Sequence, residues 1–307
     1  MHDLHWRTPI WPSRPLSAAS GADVSLKMEA LQPVGSFKIR GIGRACHELV
    51  TTGVQHLVSS SGGNAGLAVA YAGRLLRTRV TVLVPRTTPE MMRAKLRVEG
   101  AAVQEAGDSW DDAHAAALAL ADAPNTGLIH PFEGEALWDG HATLVEECAE
   151  QGEPPDAIVV AVGGGGLLVG VLRGLHRIGW GAVPVVAVET TGAASLARSA
   201  AAGALQTLPR IDSLATSLGA RTPAAEAVAW TQRHPIHCHQ VEDRAAVQAC
   251  ARFADDHRVL VEPACGAALA ACYELAPPLE QARRILVVVC GGAGVSPALL
   301  GDWLAKT

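Results

Sequence analysis

Short apolar runs alternate with Ala-rich amphipathic stretches along nearly the whole chain, and this switching of period limits the fold more than any single residue does. Strands are expected at 56–59, 80–84, 157–162, 184–188 and 285–290, and helices near 64–76, 89–98, 110–122, 138–150, 166–178, 243–256 and 264–275. A strand, helix, strand order implies parallel pairing with right-handed crossovers. Hydrophobic residues make up 49% of the chain and aromatics only 4%, so Ala, Val and Leu supply the core; that suits helices on buried parallel strands better than a β-sandwich. The expected class is α/β. A length of 307 residues fits two lobes. Residues 42–135 read as a small inserted lobe and 1–41 with 136–307 as the large one, with a ligand in the cleft at the carboxyl ends of the strands.

A formal charge of −5 with scattered arginines argues against nucleic acid or an anionic membrane as partner. No apolar run reaches the ~18 residues of a membrane span. The start, Met1-His2-Asp3-Leu4, has no apolar signal core, so a cytoplasmic protein is expected. The seven cysteines are widely spaced without a Cys-x-x-Cys pair and read mostly as small buried hydrophobes. His234, His237 and His239 cluster around Cys238, but no recognised ligand spacing is completed and no metal is expected there.

Residues 35–41, Gly-Ser-Phe-Lys-Ile-Arg-Gly, set Lys38 between two glycines beside a hydroxyl and an aromatic ring. A lysine whose charge is suppressed attacks carbonyls and forms Schiff bases, the usual attachment for pyridoxal phosphate. Phe37 could cover a cofactor ring, and the glycines let the backbone approach closely. The plainer reading is a lysine at a strand-to-helix turn, and this segment alone does not separate the two.

Three glycine-rich turns follow strand-like runs, and each is expected to open a helix: Ser59 to Gly66, Gly163 to Gly166, and Cys290 to Gly294. A helix start offers unpaired N–H groups and the positive dipole end, suited to a phosphate or carboxylate. Four consecutive glycines carry a conformational cost that a simple turn does not require, which favours phosphate binding at 163–166. A dinucleotide site is the rival, since Glu189 ends the next strand, yet the Gly-x-Gly-x-x-Gly register fails at Leu168 or Val169. Gly-x-Ser-x-Gly, His-Glu-x-x-His and Gly-x-x-x-x-Gly-Lys-Ser/Thr are absent, so hydrolase, metalloprotease and ATPase readings drop out.

Taken in order, Gly-Ser-Phe-Lys-Ile-Arg-Gly, Ser-Ser-Gly-Gly-Asn-Ala-Gly, Gly-Gly-Gly-Gly-Leu, Val-Glu-Pro-Ala-Cys-Gly-Ala-Ala and Cys-Gly-Gly resemble the fold type II (tryptophan synthase β-like) pyridoxal phosphate enzymes, most nearly the catabolic L-serine dehydratases. The likeness runs from Thr8-Pro9-Ile10 to Cys290. It implies two lobes, each with a mainly parallel sheet, and the cofactor in the cleft. Lys38 would hold pyridoxal phosphate as a Schiff base, Phe37 and Ser217 would flank its ring, and Asn64 would bond the ring hydroxyl. Gly163, Gly164, Gly165, Gly166 and Leu167 would bind the phosphate, and Cys290 would face the pyridine nitrogen. A thiol there leaves that nitrogen largely neutral, which favours elimination over transamination.

The implied reaction is β-elimination of water from L-serine, giving pyruvate and ammonia, and from L-threonine, giving 2-oxobutanoate. The substrate carboxylate would bind Ser61, Gly62, Gly63 and Asn64, freed Lys38 would take the Cα proton, and the cofactor phosphate would protonate the departing hydroxyl. Glu189, with the carbonyls of Gly163, Ala193, Leu218 and Ala220, would hold a monovalent cation, K+ by ligand type; the plain alternative is a strand-end acid bonded to a loop. Cys265 and Glu262 are expected to shape a helix start, with Glu262 near its positive end. Related serine racemases carry serine where Gly62 stands, so racemisation should be weak, and animal enzymes of this type often carry alanine there. The resemblance also implies a homodimer. Alternatives are a β-replacing synthase, a threonine-preferring dehydratase, a nucleotide-dependent oxidoreductase and a non-catalytic amino-acid sensor.

Overall fold

The computed structural model describes residues 3–307; the first two residues of the 1–41 segment, which begin the stretch read as lacking a signal core, lie outside them. In chain order the first half contains β1 (Ile10–Pro12), α1 (Arg14–Ser20), β2 (Asp23–Lys27), α2 (Lys38–Thr51), β3 (His56–Ser59), α3 (Asn64–Leu75), β4 (Arg79–Val84), α4 (Glu90–Val98), β5 (Ala102–Glu105), α5 (Trp110–Ala121) and β6 (Thr126–Ile129). The second half contains α6 (Glu135–Gln151), β7 (Ala157–Ala161), α7 (Gly166–Arg177), β8 (Val185–Thr190), α8 (Ser195–Ala202), α9 (Ala225–Trp230), β9 (Ile236–Val241), α10 (Asp243–His257), α11 (Pro263–Tyr273), β10 (Arg284–Val288) and α12 (Pro297–Lys306).

The strands form two sheets, a six-stranded one in the order β1-β2-β10-β7-β8-β9 and a four-stranded one in the order β5-β4-β3-β6. Every pairing is parallel except β1 with β2. The class expected from the alternating periods, α/β with two mainly parallel sheets, is the one observed. Central strands β7 and β8 are buried along their whole length, as their Val, Ile and Ala runs, broken only by Glu189 and Thr190 at the end of β8, require when helices cover both faces. All of α11 is buried, so a helix with no polar face sits inside the large sheet's cover. Around the small sheet, Leu57 and Val82 pack with Ala68 and Val69 of α3 and with Ile39 and Ile42 of α2.

Local chemistry sets several boundaries. Ser109 and Asp112 close a capping box at the start of α5. Ser13 accepts from Leu16 N at the start of α1, with Pro15 in the first turn. The third glycine loop departs from expectation because it opens no helix. Gly291 and Gly292 have φ of +86° and +137°, Ser36 bridges to Gly291, and helix α12 waits for Ser296, whose hydroxyl accepts from Leu299 N, and for Pro297. Four segments nevertheless converge from carboxyl ends of strands: 60–63 after β3, 130–134 after β6, 163–165 after β7 and 290–296 after β10.

Candidate active site

Lys38 is the first residue of α2, and the strand-following loop at 290–292 fixes the approach to it. Phe37 N donates to Cys290 O at 3.2 Å and Gly292 N donates to Gly35 O at 2.8 Å. The Lys38 amine donates to the Pro131 carbonyl at 2.7 Å, with Nζ 5.2 Å from the centre of the Phe37 ring. Burial pulls this amine down to about 8. Its one hydrogen-bond partner is a neutral carbonyl, and no carboxylate pairs with it among the described residues. Phe37 rests at 4.9 Å, tilted, on His141.

Opposite α2, Asn64 opens α3 with both ends of its amide engaged. Its Oδ1 accepts from Ala293 N at 2.8 Å, and its Nδ2 donates to Glu262 at 3.0 and 3.2 Å and to Ser217 Oγ at 3.3 Å. Ser217 Oγ donates to Glu262 at 2.5 Å, and Gly294 N donates to Glu262 at 2.6 Å. Glu262, 6% exposed, is therefore the hub of the cleft. It occupies the N-cap position of α11, but its side chain makes no capping bond, which corrects the expectation that it only shapes that helix start. The carboxylate turns into the cleft because three donors await it there. Cys290 is buried, and a hydrogen bond with Cys265, then burial, holds its thiol well above the usual range, so it stays protonated.

The four glycines have steric reasons of their own. A Cβ on Gly164 would lie 2.2 Å from the Phe132 ring, one on Gly163 would lie 2.9 Å from Leu218 Cα, and Gly165 has φ +88° at the N-cap of α7. Close packing alone thus calls for glycine here, a requirement that a phosphate argument from sequence overlooks. The N–H groups of Gly166, Leu167 and Leu168 in the first turn of α7 have no intrahelical acceptor and remain available to an anion. In the other loop Ser61 Oγ accepts from Gly63 N at 3.3 Å, and the first N–H groups of α3 are similarly available.

Glu189, at the end of β8, is bonded to the loop and helix that follow. Its two oxygens accept from Leu196 N and Ala197 N, both at 2.8 Å, while burial raises the carboxyl to about 7. Of the carbonyls expected beside it, Leu218 O accepts from Ala220 N at 2.8 Å, and Ala193 is buried in the segment between β8 and α8. His234 is spoken for as well, with His176 at 3.2 Å and the Val183 carbonyl at 2.8 Å.

Sequence reasoning missed the Pro131 carbonyl, the Glu262 hub and the buried cluster behind Lys38. In that cluster Arg40, fully buried, bonds Glu29 at 2.7 and 2.8 Å and Glu147 at 2.7 and 2.8 Å. Lys27 bonds Glu147 at 2.6 Å and Thr8 O at 2.7 Å. Arg40 stands two residues after Lys38, so this cluster ties the start of α2 to β2 and α6. The available signal was two basic and two acidic residues, Lys27, Arg40, Glu29 and Glu147, whose pairing their spacing in sequence does not give.

A family model described as pyridoxal-phosphate dependent enzyme matches residues 1–291. The chain belongs to the pyridoxal-phosphate dependent enzymes. Human L-serine dehydratase/L-threonine deaminase is 46% identical over 310 residues, covering 97% of this chain and 94% of the human protein. The crystal structure of a fungal L-serine ammonia-lyase from Rhizomucor miehei superposes with a TM-score of 0.94 at 36% identity, covering 99% of each chain. Maize serine racemase superposes with a TM-score of 0.88 at 27% identity, covering 98% of this chain and 92% of that one. The cofactor these enzymes are named for is an aldehyde carrying a phosphate. The residues present fit it: an amine of lowered pKa for the aldehyde, and a glycine-lined helix start without acidic side chains for the phosphate.

Proposed function

We propose that this enzyme eliminates water from L-serine to give aminoacrylate, whose imine form takes up one water and releases ammonia to give pyruvate, and that it acts on L-threonine in the same way to give 2-oxobutanoate and ammonia. The observation that carries the reading is the Lys38 amine, lowered to about 8 and held by a neutral carbonyl in a cleft walled by the three glycine loops. The names of the human and fungal relatives support the substrate class. Pyridoxal phosphate supplies, when bound, an electron-withdrawing ring that acidifies the substrate's Cα–H.

In this proposal Gly163, Gly164, Gly165, Gly166 and Leu167 receive the phosphate through backbone N–H groups, while Phe37 and Ser217 flank the ring. The Asn64 amide, giving up one of its bonds to Glu262 or Ser217, donates toward the ring hydroxyl. The Cys290 thiol, kept protonated, is a weak partner that leaves the ring nitrogen without a full charge. Ser61, Gly62, Gly63 and Asn64 bind the substrate carboxylate at the start of α3. Lys38, free once the substrate amine has taken its place, takes the Cα proton; an amine near pH 8 serves as a base under cellular conditions. A monovalent cation, K+, held through Glu189 and the carbonyls of Gly163, Ala193, Leu218 and Ala220 belongs to the same proposal, as do a cytoplasmic location and a homodimeric state.

The test is pyruvate release from L-serine by cofactor-saturated protein in K+ and in Na+ buffers, beside Lys38→Ala. Loss of at least ~10²-fold in the variant is expected. Pyruvate formation that survives the substitution sinks the reading, and product appearing only with added sulfide identifies a β-replacing synthase instead. Light scattering at micromolar concentration tests the dimer.

A further inference from the structure

Between β6 and α6 the chain makes one turn, residues 130–134, that touches three parts of the site at once. Pro131 supplies the carbonyl that takes the Lys38 amine at 2.7 Å. The Phe132 ring fills the space beside Gly164, and the Phe132 carbonyl lies 2.6 Å from where a Cβ on Gly166 would stand while accepting from Trp138 Nε1 at 2.9 Å. Gly134 then enters α6 with φ +130°.

One imidazole holds this turn together. His130 Nδ1 accepts from Glu133 N at 2.9 Å and from Phe132 N at 3.4 Å. Backbone N–H groups cannot reverse, so Nδ1 must keep its lone pair and the ring must carry its proton on Nε2. Burial, with His114 and Lys38 nearby, lowers His130 to about 4, which keeps the ring neutral. The ring is also wedged edge-on against Phe132 at 4.6 Å and against His114 at 5.6 Å. His114 Nδ1 in turn meets Ser60 Oγ at 3.0 Å, where the 61–64 loop begins.

We infer that His130 is a positioning residue: its unprotonated Nδ1 locks the 130–134 turn, and through the Pro131 carbonyl and the Phe132 ring that turn sets the aim of Lys38 and the shape of the tetraglycine cradle. The inference rests on the reading of Lys38 as the reactive amine. Near-attack geometry is demanding, and a displacement of about 1 Å can cost ~10²-fold in rate. A locked turn is therefore worth more to turnover than to substrate binding.

Two substitutions separate the acceptor from the packing. His130→Phe keeps a ring against Phe132 and His114 but removes the acceptor, whereas His130→Asn keeps an acceptor in the geometry of an Asx-turn and removes the ring. His130→Phe is expected to lower kcat at least ~10-fold while leaving KM for L-serine within about threefold, and to weaken pyridoxal phosphate binding by the cofactor-free protein about 10-fold. His130→Asn should keep kcat within about fivefold of the parent. Nitrogen-15 NMR of the cofactor-free parent should show His130 as the Nε2–H tautomer from pH 6 to 8. An Nδ1–H tautomer, a His130→Phe variant with parental kcat and cofactor affinity, or a His130→Asn variant as impaired as His130→Phe overturns the inference. If the parent releases no pyruvate, the proposed reaction fails while the tautomer and cofactor-affinity measurements still decide the role of His130.

Discussion

The lowered pKa of Lys38 has a thermodynamic consequence that cofactor-free protein will show. The amine titrates at about 8 in the folded chain, against 10.5 for an ordinary lysine. That gap corresponds to about 3 kcal/mol of destabilisation wherever both states carry the proton. Below pH 8 folded and unfolded forms are both protonated, and the folded form bears the full cost of the enclosed cation. Between pH 8 and 10.5 the folded amine has lost its proton while the unfolded one has not, so stability rises with pH through that window. Lys38→Met keeps the aliphatic bulk and removes the titration.

Urea unfolding of the cofactor-free parent and of Lys38→Met should therefore place the variant about 3 kcal/mol above the parent at pH 7, with about 2 kcal/mol of that difference gone by pH 9.5. Taking the difference between the two proteins cancels every other group that titrates in the window. Labelling of Lys38 by an amine-reactive reagent, read by peptide mass spectrometry, should show its midpoint near pH 8 directly. A stability difference that stays constant with pH, or a labelling midpoint near 10.5, would refute the reasoning and with it the basis for treating Lys38 as the reactive amine.

Removing the fully buried cation of the cluster is expected to be costly: Arg40→Met leaves Glu29 with only the neutral Thr8 hydroxyl and Gln32 amide and leaves Glu147 hydrogen-bonded to Lys27 alone, and should lower stability by about 3–5 kcal/mol in urea unfolding. Gly164→Ala puts a methyl group 2.2 Å from the Phe132 ring, and the variant should fold yet bind pyridoxal phosphate at least ~10-fold more weakly, measured by absorbance titration. A Cβ on Gly62 would lie 2.7 Å from both Thr88 Cγ2 and Thr88 Oγ1, so Gly62→Ala should gain from Thr88→Gly in the same chain. A double-mutant cycle on KM for L-serine should return a coupling of about 0.5–1.5 kcal/mol, and strict additivity would show that Thr88 simply rotates away. Glu262→Gln turns one acceptor oxygen into a donor group among three donors, which should lower kcat while Ser217→Ala in the same chain restores part of the loss, as the Ser217 hydroxyl is the donor at 2.5 Å.

What the sequence disclosed and what it hid follow from how far each interaction reaches. Strand β7 and the stretches 185–188 of β8 and 285–288 of β10 are apolar runs because they lie buried in the large sheet, and such runs are visible in any short window. The edge strand β9, Ile-His-Cys-His-Gln-Val, carries half-exposed polar residues and reads as a histidine cluster rather than as a strand. Strand β5, Ala-Val-Gln-Glu, is short and polar for the same reason, being the other sheet's edge. Helix α2 was hidden by Gly41 and Gly43, whose poor helix propensity is overridden where the backbone of Gly41 presses against Leu137 and His141.

The site divides along the same line. Lys38 and the tetraglycine announce themselves through neighbours in sequence, and a resemblance built on ordered motifs could carry their roles. Glu262 meets Asn64 across 198 residues, and Lys38 meets Pro131 across 93, through a backbone oxygen that every residue type possesses. A carbonyl leaves no residue-type signature. What does leave one is the group proposed to hold the carbonyl in place, His130: a histidine three residues before the N–H it accepts from is an ordinary turn in sequence and an oriented acceptor only once β6, α2 and α7 have come together around it. A residue proposed to react, such as Lys38, is thus legible early because its chemistry is rare, whereas a residue proposed to aim it, such as His130, uses common chemistry and becomes visible only through the fold that brings the two into contact.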